Sequence, residues 1–110
     1  MRPRHLSVVL HATGKFELEK EVASLGAYLE LCLNSCMPPN PRASYEEYAD
    51  IIRAVGAGHC VLVSDMGQIY NPTSVEGLRM LILNMLQQGI SEEDIDLMTK
   101  KNPAYLLGLE

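Results

Sequence analysis

The chain has 110 residues, a net charge of −5 and 47% hydrophobic residues, with no Trp and a single Phe. That size suggests one domain with an aliphatic core, and the apolar content argues against a disordered chain. Nine Lys and Arg are scattered among fourteen Asp and Glu, so no basic stripe offers the phosphate neutralisation that nucleic-acid or anionic-membrane binding requires, and neither partner is expected.

The opening MRPRHLSVVL begins basic, but its apolar run LSVVL is shorter than the about 7 to 15 residues of a signal-peptide core. No run approaches the roughly 18 apolar residues of a membrane span. HLSVVLHA, residues 5 to 12, is β-branched and continuous rather than alternating, as in a strand covered on both faces of a parallel sheet. In FELEKEVASL, residues 16 to 25, Phe16, Leu18, Val22, Ala23 and Leu25 fall at helical spacing before Gly26, which stops the helix. AYLELCLN, residues 27 to 34, reads as a second strand. The Pro-rich SCMPPNPRA can continue neither ladder nor helix.

Ser44 with Glu47 has capping-box spacing, and Tyr48, Ile51, Ile52 and Val55 form the apolar face behind it, up to Gly56 and Gly58. HCVLVSD, residues 59 to 65, is the third strand. Thr73 with Glu76 opens a helix whose apolar face is Val75, Leu78, Leu81, Ile82, Met85 and Leu86, closed by Gly89. Ser91 caps the next helix, with Ile90 and Ile95 placed as a hydrophobic staple. Asn102 and Pro103 are expected to break the chain before a short helical tail, AYLLGL. Strands alternating with helices predict βαβ units, a parallel sheet and right-handed crossovers, hence an α/β fold.

Cys32, Cys36 and Cys60 form no C-x-x-C pair. Unpaired thiols point to a reducing cytoplasm, and a Cys32/Cys36 metal pair would lack a matching second pair. No G-x-G-x-x-G, P-loop or G-x-S-x-G frame is present.

In parallel α/β folds ligands bind at the carboxyl ends of the strands. The first ends at His11, Thr13 and Gly14; the second contains Glu30 and ends near Asn34, Ser35 and Cys36; the third ends at Ser64, Asp65, Met66, Gly67 and Gln68. His11 and Asp65 are the two side chains suited to bind a metal or move a proton. Each has a plainer reading: a hydrogen-bonded loop histidine, and an aspartate capping the next turn. His59 lies at the start of its strand and is read as structural.

GHCVLVSDMGQ followed by SVEGLRMLILNMLQQGISEEDIDLMTKKNPAYLLGL resembles the end of an amidohydrolase-superfamily protein, nearest the DUF6282-type group of metal-dependent hydrolases. There a last barrel strand ends on an Asp, here Asp65, and an NPA-LLGL-like tail closes the chain, here Asn102 to Ala104 and Leu106 to Leu109. LSVVLHATG resembles an earlier barrel strand delivering a His, here His11.

The resemblance implies three parallel βα units like the C-terminal part of a (β/α)₈ (TIM) barrel, plus a helical tail. It implies hydrolysis of an amide, ester or lactone carbonyl by metal-activated water, on a small-molecule substrate. Asp65 and His11 would be catalytic and metal-binding, with zinc the expected cation, and Gly67, Gln68 and Glu30 would be substrate-binding. The H-x-H pair and middle-strand ligands of that superfamily are missing, and His5 and His11 are too far apart to imitate H-x-H. A whole barrel needs about 200 residues or more. The expectation is therefore a C-terminal portion that binds metal weakly or not at all by itself and has little activity alone. Open sheet edges and an uncovered barrel-interior face would make it self-associate or pair with a missing N-terminal part. The alternative is a non-catalytic α/β interaction module.

Overall fold

The structure is a computed structural model that describes the backbone of Ser7–Val9 and residues 16–38 and 41–109. Continuous apolar runs need cover on both faces, and here they pair with one another. β1 (Ser7–Val9), β2 (Tyr28–Cys32) and β3 (Cys60–Val63) form a parallel sheet in the order β1-β2-β3. The register sets Leu29 beside Cys60, Glu30 beside Val61 and Leu31 beside Leu62. Side chains alternate along a strand, so Leu29, Leu31, Cys60 and Leu62 share one face, and Tyr28, Glu30, Val61 and Val63 the other.

Helices α1 (Phe16–Ser24), α2 (Tyr45–Val55) and α3 (Ser74–Gln87) follow the three strands. α2 touches both α1 and α3. Leu29, Leu31, Cys60 and Leu62 pack with Tyr48, Ile51, Ile52, Leu81 and Met85, all buried. Burying each large aliphatic side chain contributes about 1.5–3 kcal/mol. The helix starts obey their capping residues. Glu47 N–H donates to Ser44 Oγ (3.1 Å), Glu76 N–H to Thr73 Oγ1 (3.4 Å) and Asp94 N–H to Ser91 Oγ (3.1 Å). Gly26 (φ 91°) and Gly56 (φ 101°) adopt the left-handed backbone that ends α1 and α2.

Several expectations are corrected. The second strand ends at Cys32 rather than Asn34, and Leu33–Cys36 winds into a 3₁₀ turn. The Tyr48 hydroxyl donates to the Cys32 carbonyl (2.7 Å), and Asn34 N–H reaches across to the Ser64 carbonyl (3.2 Å), which draws the chain out of the ladder. α3 buries a narrower stripe than expected: Gly77, Leu81 and Met85 face inward, whereas Val75 and Leu86 are exposed. Of the first predicted strand, only Ser7–Val9 is described, and His11 lies outside the described residues.

The largest correction concerns the tail. α4 (Glu92–Asp96) runs through a π turn at Leu97–Lys101 directly into α5 (Asn102–Leu106), with no break at Asn102-Pro103. Asn102 N–H bonds the Leu97 carbonyl in the π register, so the wider turn shifts the ladder just before Pro103, which has no N–H to donate. The buried Asn102 amide donates to the carbonyls of Ala57 (2.9 Å) and Cys60 (2.8 Å), pinning the tail to the amino end of β3. Tyr28 packs against His59 and Tyr105, at centroid distances of 5.7 and 6.2 Å. The sheet face expected to lie bare is thus partly covered by the chain's own last helix, and Val61 on that face is buried.

Candidate functional site

The short β3 ends in an unusual backbone. Asp65 has φ 53°, the only non-glycine left-handed residue among those described. Asp tolerates this conformation better than most residues, because its short polar side chain bonds locally. Strain of this kind persists only where the surroundings hold it. Here the Gln68 amide donates to the Asp65 carbonyl (3.3 Å), and the Asn71 amide donates in turn to Gln68 Oε1 (2.7 Å) and to Asn34 Oδ1 (2.9 Å). A chain of amides from two strand ends therefore braces the Asp65 backbone and leaves its carboxylate exposed. Gly67 has φ 148° and nothing within 4 Å of its would-be Cβ, so glycine is used here for its backbone freedom and not for a close approach.

Glu30 lies mid-strand in β2, beside Val61 in register, whereas Asp65 follows the end of β3. Both negative charges bear on the Cys32 thiol, which burial first, then Asp65, then Glu30 push up to about 11, against the opposing charge of Arg42. Glu30 also lines a cleft of about 470 Å³ together with Ser64, the chain neighbour of Asp65. Of the five residues anticipated from sequence, Asp65, Gly67 and Gln68 follow the carboxyl end of β3, Glu30 lies mid-strand in β2, and His11 is outside the described residues. Among the described residues, no group of three His, Cys, Asp or Glu side chains is placed to hold a metal. The donor just past the end of β3 is the Asp65 carboxylate, which by itself is a single oxygen ligand.

The cysteines behave as structural thiols. Cys32 and Cys60 are buried, Cys36 is half-buried, and all three are free. Burial raises Cys60 to about 12, and burial together with Glu47 raises Cys36 to about 11. Such thiols are poor nucleophiles and poor metal ligands at neutral pH. His59, read as structural, lies at the other end of β3 from Asp65 and packs on Tyr28.

Asn71 is the site residue that sequence reasoning passed over, and Asn34 was noted only as a strand end. The Asn71 side-chain Oδ1 is buried and has no hydrogen-bond partner among the described residues. The available signal was Asn71-Pro72, a turn dipeptide a few residues after Asp65, in a loop whose other polar residues already pointed to the rim. No helix among the described residues is long and apolar enough to cross a membrane. No family model, curated protein or solved structure matches this chain.

Proposed function

We propose that this chain carries part of the active rim of a metal-dependent hydrolase, acting on an amide, ester or lactone carbonyl, in an architecture like the last three units of a (β/α)₈ barrel. The single observation that supports this reading is an exposed, backbone-braced carboxylate, Asp65, just past the carboxyl end of a strand in a parallel sheet whose strands are in sequential order. Asp65 is the group to hold the cation or to accept a proton from the attacking water. His11 is its expected companion. When bound, a divalent cation of the zinc type polarises the carbonyl and brings the acidity of water toward neutrality. Gln68 and Asn71 hold the backbone from which Asp65 projects, and Gly67 turns the chain away from it. Glu30 faces the part of the substrate that does not react.

One carboxylate with one imidazole is an open shell, so binding by this chain alone is weak. NMR titration with Mn²⁺ tests the reading. Paramagnetic broadening is expected to centre on Ser64–Gly67 and to vanish in Asp65→Asn, whose side chain tolerates the same backbone. Broadening centred instead on the acidic turn Glu92–Asp94, or unchanged in the variant, contradicts it.

The remaining ligands then come from outside the described residues or from a partner. The outer edges of β1 and β3 are free of strand partners among the described residues, and Ile69, Tyr70 and Val75 are exposed around the rim loop. Self-association, or pairing with a complementary chain, follows from such surfaces. Light scattering is expected to show species heavier than a monomer as concentration rises, and a clean monomer at high concentration sinks this part.

A further inference from the structure

The cleft beside the rim has its own chemistry. Its volume of about 470 Å³ falls in the range of about 300–1,000 Å³ typical of small-molecule sites. Its walls are aliphatic: Val61 and Val63 from β3, Leu78 from α3, and Leu106 and Leu107 at the end of the tail. Glu30 is the one charged side chain among its lining residues. Thr99 also lines it, but its hydroxyl is already committed to the Ile95 carbonyl (2.7 Å).

Glu30 is half-buried in mid-strand, paired in register with Val61, and forms no ion pair or side-chain hydrogen bond with any described residue. A carboxylate held against aliphatic walls is less well solvated than one in water, and its attraction for an opposite charge is correspondingly stronger. An anionic occupant is therefore repelled, and a second copy of a chain with net charge −5 is a poor fit to the same place.

We propose that this cleft binds a small ligand made of an apolar body and a cationic amine, with the amine against Glu30 and the body against Val61, Val63 and Leu106. This deepens the hydrolase reading: there, the amine-bearing group is the non-reacting end of the substrate. The binding itself needs no cation at Asp65.

The test is an NMR titration of the full chain with benzylamine, benzyl alcohol and benzoate, without metal. Benzylamine is expected to give saturable shifts at Val61, Val63, Ser64 and Leu106, with at least tenfold weaker binding of the alcohol and none of benzoate. Glu30→Gln is expected to reduce benzylamine to the affinity of the alcohol. Leu106→Trp, which fills the cleft and keeps Glu30, is expected to abolish binding of both. The titration contains no metal, so failure of the Mn²⁺ experiment would not carry this proposal with it. Equal binding of amine and alcohol, unchanged affinity in Glu30→Gln, shifts centred away from β3, or no saturable binding overturns it. Loss of the cleft signals to a homodimer interface in the free chain overturns it as well.

Discussion

Asp65 is where composition, backbone and charge meet. A valine or isoleucine at φ 53° would meet the steric penalty of the left-handed region, of about 1–2 kcal/mol, whereas Asp and Asn visit it with local hydrogen bonds. The position therefore restricts the choice to Asp, Asn or Gly on backbone grounds alone, and only Asp among these brings a charge. A turn-capping role explains the residue type but not the bracing, since the Asn71 amide donates to Gln68 and the Gln68 amide to the Asp65 main chain while the Asp65 side chain stays exposed. The same reasoning makes Asp65→Asn the proper control for cation binding, because it removes charge and keeps the conformation.

At the scale of elements, the tail is the instructive case. A Pro in a helical pattern ordinarily ends the helix, yet α4, the π turn and α5 form one continuous run, because the wider turn shifts the hydrogen-bond register just before Pro103. Asn102 then supplies the docking contact, one amide nitrogen to two carbonyls of a segment far away in sequence. Asn102→Ala leaves both buried carbonyls without this donor and is expected to cost about 2 kcal/mol, read as a lower urea midpoint with an unchanged m-value. A loss below about 0.5 kcal/mol would mean that the tail is held by packing of Met98 and Ile95 alone. α3 shows a related dependence on fit. A Cβ on Gly77 would lie 2.6 Å from Met66 Cγ and 3.2 Å from Leu33 Cδ2, so this glycine lets the helix close on the end of the sheet.

For the whole molecule, the α/β class, the parallel sheet and the three capped helix starts were legible in sequence. Those features depend on local spacing: Ser44 to Glu47, Thr73 to Glu76, Ser91 to Asp94, and β-branched runs without alternation. What was not legible depends on contacts between distant segments. The early end of β2 comes from Tyr48, the uninterrupted tail from Ala57 and Cys60, and the cover over the second sheet face from Tyr105 and its neighbours. The candidate site was legible as a list of polar strand ends, because parallel topology sends those ends to one rim. The amide brace and the Glu30 cleft were not, since Asn71 and Leu106 reach the rim only through the folded arrangement of α3 and α5.

The account depends on Asp65 and Glu30 each lying close to Cys32, whose thiol reports on both. Titration of Cys32 by NMR of labelled cysteine, with Cys36 and Cys60 replaced by Ser, measures that directly. In the parent protein the thiol is expected to titrate near 11. Removing either carboxylate favours the thiolate, so Asp65→Asn and Glu30→Gln should each lower the value and the double variant should lower it further, with burial still keeping it above the ordinary thiol range. A Cys32 titration that ignores one of the two substitutions would place that carboxylate elsewhere and contradict the account.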